Sequence, residues 1–167
     1  TEQGDARFAE VLERMGAAVQ WSEGQVTVQG PAGGRLRGGL ELDLNDMPDQ
    51  AQTLAVVALF ADAPVRIMNI GNLRIKETDR LAAMATELGR LGAEVEEGDD
   101  ELTVYPLRRP PGSPVVLGTY GDHRMAMALA VAGARIPNVV IDEPGVVAKT
   151  YPNFFRDYLS LLGGRLA

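Results

Sequence analysis

Side chains able to grip an anion or move a proton gather at two places in this sequence. Lys76, Glu77, Asp79 and Arg80 fall between Val65–Ile70, which alternates like a strand, and Leu81, Met84, Leu88 and Leu91, which recur at helical spacing. Asp122, His123 and Arg124 stand directly before Met125, Met127, Leu129 and Val131. Each group lies where a helix begins, and the free amides of a helix start attract anions. Charged side chains are rarely buried unless paired, so at a helix start they can line a cleft instead. Arg and Lys converging on helix N-termini make an anion site. Taken singly, each group also reads as a solvated helix start with short-range ion pairs.

The elements that would bring the two groups together form an internal repeat. The unit is strand, apolar helix, strand, amphipathic helix and two strands, a βαβαββ order. It predicts an α+β fold in which the apolar helices Asp49 to Ala61 and Asp122 to Ala132 lie buried side by side. Asp46 is the expected cap of the first of these, with Pro48 in its first turn. Asp49 and Asp122 sit 73 residues apart at matching helix starts, and Thr78 and Thr150 sit 72 apart at matching N-caps. Gly16 and Gly92, 76 apart, close the amphipathic helices that precede two hairpins. This register places Asp49, Glu77, Asp122 and Lys149 at equivalent edges, all at helix N-termini on one face, with Arg80 and Arg124 in first turns. The chain divides into about two and a half units, 1–39, 40–114 and 115–167, of a single partial domain. The first keeps only its second half.

With 167 residues, 46% apolar and 23% charged, the chain can bury a real core and is not of the disordered class. A net charge of −7 argues against a nucleic-acid surface and makes any cluster of cations more conspicuous. No cysteine is present, which excludes disulfides and thiolate-bound metal, and a single histidine argues against a zinc site. No apolar run has the length of a membrane helix and no signal peptide is visible. Starting at Thr1 almost directly in a helix, the chain reads as a cut rather than a native start.

Four stretches carry a family resemblance: Asn45–Asp49, Asn72–Leu81, Tyr120–Met127 and Asp142–Pro152. Their residues, order and spacing resemble the motifs of the 5-enolpyruvylshikimate-3-phosphate synthases over essentially the whole chain. The Lys-Glu-Thr-Asp-Arg run of 76–80 together with the Asp-His-Arg run of 122–124 is highly specific. Gln50, Gln52 and Val146 depart from the residues common in the family. The resemblance implies half of an inside-out α/β barrel, the C-terminal portion of a larger cytoplasmic enzyme whose cleft lies between two domains. It implies transfer of the enolpyruvyl group from phosphoenolpyruvate to the 5-hydroxyl of shikimate-3-phosphate, with no metal or organic cofactor, on the route to aromatic amino acids. By the same resemblance Asp49 accepts the hydroxyl proton and Glu77 serves proton transfer at the methylene carbon. Arg80, Arg124 and Lys149 hold phosphoenolpyruvate. Asn72, Lys76 and Asp49 contact shikimate-3-phosphate. Asp122 and a neutral, hydrogen-bonding His123 support them. Glyphosate is then expected to compete for the same cations.

Three rivals stand beside that expectation: the sister transferase acting on a UDP-sugar, UDP-N-acetylglucosamine, a module that folds without turnover, and a nucleic-acid-binding domain of the same βαβαββ topology, which the acidic balance disfavours. The isolated chain is expected to fold at least partly and to catalyse nothing, since the other domain is its missing partner. An uncovered sheet edge before Phe8 is expected to favour self-association.

Overall fold

A computed structural model describes residues 4–163; the outer ends of the unit ranges, 1–3 and 164–167, lie outside the described residues. After a 3₁₀ turn at Gly4–Arg7 come α1 (Phe8–Arg14) and the hairpin β1 (Ala18–Ser22) and β2 (Gln25–Gln29). Next are β3 (Leu40–Asp43), a 3₁₀ turn at Pro48–Gln50, α2 (Ala51–Ala58) and β4 (Val65–Met68). A 3₁₀ turn at Gly71–Ile75 leads to α3 (Arg80–Arg90), β5 (Val95–Glu97) and β6 (Leu102–Val104). The order then restarts with β7 (Val115–Leu117), α4 (His123–Gly133), β8 (Val139–Ile141), a 3₁₀ turn at Pro144–Lys149 and α5 (Phe154–Leu161).

The mixed helix and strand content is α+β. β3 and β4 pair in parallel across α2, while β6 runs antiparallel to β4 and β5, giving the sheet order β3-β4-β6-β5. β7 and β8 pair in parallel across α4 in the same manner. Period-2 alternation turns Leu42, Val65, Ile67, Leu102 and Val104 into the core. It leaves Arg66 on the other face, where it bridges Glu41 at 3.1 Å and Glu101 at 2.7 Å. The two apolar helices pack on each other, α2 also on β4 and β6 of this sheet and α4 on β8, with Ala51, Leu54, Ala55 and Ala58 of α2 and Met125, Leu129 and Ala132 of α4 buried. Fully burying a side chain such as Leu54 or Ile67 contributes about 1.5–3 kcal/mol. By contrast α5 buries no residue, and β1–β2 leaves Trp21 half exposed. Among the described residues no helix is long and apolar enough to cross a membrane.

Several expected boundaries move. The helix expected from Asp49 to Ala61 begins as a 3₁₀ turn and ends as one, since Leu59, Phe60 and Ala61 donate to the carbonyls three residues back. Asp46 is not its cap; Met47 precedes the turn, and Asp46 pairs with Arg7 at 3.6 Å. Thr78 is not the cap of α3 either. Asp79 is, its Oδ1 accepting the Ala82 N–H at 3.1 Å, because a carboxylate one residue nearer the helix outcompetes the hydroxyl. Thr150 is not the N-cap of α5; it is the C-cap of the 3₁₀ turn Pro144–Lys149, and α5 waits until Phe154. Pro152 disfavours helical backbone at Tyr151 and so delays the start. Asp79→Ala should therefore cost about 0.5–2 kcal/mol of stability, read as a lower urea midpoint, whereas Thr78→Ala should change little. A larger loss from Thr78→Ala than from Asp79→Ala would put the cap back at Thr78.

Candidate functional site

Three separate segments send carboxylates to one guanidinium. Arg80, on the first turn of α3, is 2% exposed. Its Nε donates to Asp122 Oδ2 at 2.7 Å, its Nη1 to Asp49 Oδ1 at 2.9 Å and its Nη2 to Glu77 Oε2 at 2.8 Å. The outer oxygens of two of these acids hold further cations. Arg124 Nη2 lies 2.7 Å from Asp49 Oδ2, and Lys149 Nζ lies 2.6 Å from Glu77 Oε1. The result is a continuous chain, Arg124–Asp49–Arg80–Glu77–Lys149, with the fully buried Asp122 behind it.

Local structure explains each position. Asp49 rides on the 3₁₀ turn that opens α2, and Asp122 caps α4, its Oδ1 accepting the Arg124 N–H at 2.8 Å. Glu77 occupies the non-helical stretch between the 3₁₀ turn Gly71–Ile75 and α3. Lys149 ends the other 3₁₀ turn, so the expectation that all four repeated positions mark helix N-termini fails for Glu77 and Lys149. The repeat still delivers them to one place, because each stands at or just past the end of a 3₁₀ turn that follows a parallel strand. Asn72 and Lys76 are exposed, and among the described residues neither makes a side-chain hydrogen bond.

Exposure sorts the cations. The Lys149 side chain is 59% exposed and that of Arg124 30%, whereas Arg80 is sealed in. An anion arriving from solvent can therefore meet Arg124 and Lys149 directly. It reaches Arg80 only by displacing Asp49 or Glu77. His123 is buried, with Nδ1 3.9 Å from Glu77 Oε1 and 3.8 Å from Asp122 Oδ1; the hydrogen bond expected of it is not formed at Nδ1. A cavity beside the Asp49–Arg124 pair is lined by Gln52, Thr53, Met127 and Phe154, and among the described residues neither amide atom of the buried Gln52 has a hydrogen-bond partner. The sequence signal for Gln52 is weak: an amide side chain beside Thr53 on an otherwise apolar helix.

Charge pairing sets the protonation states. The Lys149 ammonium bonded to Glu77, together with a backbone hydrogen bond and the Arg80 charge, holds the Glu77 carboxyl down at about 2. Its folded pKa lies below the unfolded value, so its stabilising contribution is present above pH 4.5 and is lost as pH falls toward 2. Lys149→Met should return the Glu77 midpoint toward 4.5, as read by carboxyl-carbon NMR, and an unmoved midpoint would show that the lysine does not hold it. His123 titrates below its ordinary value, chiefly because burial disfavours the cation and secondarily because Arg124 and Lys149 face it, against the pull of Asp122 and Glu77. It is neutral at pH 7. Protonation favours the unfolded chain, so this group makes stability fall as pH drops from 6.5 toward the folded midpoint. The single imidazole makes that midpoint directly readable by proton NMR.

The family EPSP synthase (3-phosphoshikimate 1-carboxyvinyltransferase) matches residues 1–158. Among curated relatives, the 3-phosphoshikimate 1-carboxyvinyltransferase of Cupriavidus necator is 51% identical over 164 residues, covering 96% of this chain and 37% of that protein. The protein of the same name from Idiomarina loihiensis is 47% identical over 159 residues, 95% of this chain and 36% of that protein. The chain thus spans little more than a third of the length of these relatives. Of solved structures, EPSP synthase from Acinetobacter baumannii superposes with a TM-score of 0.74 at 23% identity, over 92% of this chain and 38% of that one, which bears on the fold.

Proposed function

Since the chain belongs to the EPSP synthase family, we propose that it forms one wall of the active site of a carboxyvinyl transferase. The reaction moves the enolpyruvyl group of phosphoenolpyruvate to the 5-hydroxyl of shikimate-3-phosphate and releases phosphate. The observation that carries this reading is the alternating chain Arg124–Asp49–Arg80–Glu77–Lys149. Its exposed ends are cations, and its carboxylates are held between them.

Phosphoenolpyruvate carries two anionic groups. Arg124, with a planar fork, suits the carboxylate, and Lys149, a point charge, suits the phosphate. Binding there exchanges Asp49 and Glu77 for the ligand as partners of these cations. Glu77 then loses the lysine that holds its pKa at about 2, so it can take up a proton and deliver it to the methylene carbon. Asp49 accepts the proton of the attacking 5-hydroxyl, and the oxygen bonds to the adjacent carbon of the enol. Loss of phosphate and of a methyl proton restores the double bond. Arg80 would join the phosphoenolpyruvate site as Asp49 or Glu77 turns away from it. Asn72 and Lys76, exposed beside the cluster, would contact shikimate-3-phosphate. Asp122 and neutral His123 would back the site, and the setting is an aqueous compartment, the cytoplasm.

A wall alone does not exclude water. Facing solvent, each charge pair is worth only about 1 kcal/mol, so this chain by itself should release no phosphate from the two substrates. The test is a chimera in which this chain replaces the matching third of the Cupriavidus necator relative. Phosphate release requiring both substrates is the expected result. An inactive but folded chimera would favour the non-catalytic module. Turnover with UDP-N-acetylglucosamine in place of shikimate-3-phosphate would favour the sister transferase.

A further inference from the structure

Helix α3 grips the segment in front of α4 at two points. Arg80 at its start holds Asp122, and two turns further on Glu87 holds the stretch Gly118–Tyr120. The Glu87 side chain is wholly buried; its Oε2 accepts the Gly118 N–H at 2.9 Å and its Oε1 the Tyr120 O–H at 2.6 Å. Arg90 reaches it from the rim at 3.5 Å. A carboxylate is kept in such a place only when its oxygens are satisfied, and here the loop satisfies them.

The loop in turn needs holding. Tyr120 and Gly121 take successive left-handed conformations, φ 55° and 68°, and a non-glycine residue there carries strain that the surroundings must over-determine. The turn closes where the Asp122 N–H donates to the Thr119 carbonyl at 2.9 Å, and Asp122 then caps α4 through the Arg124 N–H. From Glu87 to the Arg124 backbone every link is a hydrogen bond or a single turn of chain. We propose that Glu87 is a positioning residue: by fixing Gly118 and Tyr120 it sets the direction in which His123 and Arg124 enter the ion-pair cluster. Only the identity of Arg124's ligand rests on the transferase reading above; the linkage itself does not.

Three measurements test this with Glu87→Gln and Glu87→Ala. In this chain, amide exchange at Gly118 should quicken about tenfold relative to Val65–Met68, as one buried hydrogen bond is lost or weakened. The midpoint of the single imidazole, His123, should move, and Tyr120→Phe should move it the same way. In the chimera, KM for phosphoenolpyruvate should rise about tenfold while that for shikimate-3-phosphate stays within about twofold. If Glu87→Ala does not fold, Glu87→Gln and Tyr120→Phe decide. Variants that lose stability uniformly but leave His123 titration and Gly118 exchange in place would overturn the proposal, as would equal rises in both KM values. An inactive parent chimera would sink the transferase reading, and the two NMR measurements would still judge Glu87.

Discussion

Arg80→Met should be among the most destabilising single substitutions in the chain, lowering the unfolding free energy by about 3–5 kcal/mol. The reason is what remains. Asp122 is entirely buried and Asp49 and Glu77 turn inward toward the same point, so removing the guanidinium leaves three carboxylates facing one another. Arg124 and Lys149 neutralise only the outer oxygens of Asp49 and Glu77. Arg80→Lys should recover little, because one ammonium cannot reach three acids that a planar fork bridges together. Asp122→Asn on top of Arg80→Met should restore part of the loss, since the pair is in direct contact and its effects cannot add. The deficit should also shrink in acid as the carboxylates protonate. Urea unfolding of the four chains at neutral pH and near pH 4 measures all of this. An Arg80→Met protein within about 1 kcal/mol of the parent would place Arg80 among ordinary surface ion pairs.

That burial is the main thing the sequence did not disclose. In sequence, Arg80 reads as a cation on the first turn of a helix, free to meet a ligand. In the fold it is the hub of a cluster whose acids come from positions 49, 77 and 122, and no local pattern encodes such a convergence. The convergence was nonetheless approachable from the repeat, because a register of 73 residues sets Asp49 and Asp122 at the starts of two helices that pack on each other. The apolar helices were legible for the same reason: residues apolar on every side have nowhere to go but the core. The 3₁₀ turns before α3 and α5 were not, since one turn of i→i+3 bonding shows no apolar period of its own. Thr78 and Asp79 are adjacent capping residues; propensity leans to the aspartate, while the register with Thr150 points to the threonine. Glu87 on an amphipathic helix reads as solvent-facing; its burial depends on a loop thirty-odd residues away.

Arg124→Ala poses the complementary case, a large loss of activity with little loss of fold. Its side chain is partly exposed, and its partner Asp49 keeps a second cation in Arg80, so stability should fall by no more than about 1 kcal/mol. In the chimera the same substitution removes the exposed planar fork on which the carboxylate of phosphoenolpyruvate is proposed to rest. Losing one charge-assisted contact in a closed, water-poor site costs about 2–4 kcal/mol, so kcat/KM for phosphoenolpyruvate should fall roughly 30- to 1000-fold. Arg124→Lys should recover only part of this, since a point charge replaces a bidentate one. Glyphosate, if it competes for the same cations, should lose affinity in parallel with phosphoenolpyruvate. The effect on KM for shikimate-3-phosphate should be small, because Asn72 and Lys76 lie at the 3₁₀ turn Gly71–Ile75 and not on α4. Steady-state kinetics with each substrate varied in turn, alongside urea midpoints, separates the two contributions. Kinetics within about threefold of the parent chimera would mean that Arg124 serves only to hold Asp49, and the anion site would then have to be sought around Lys149 alone.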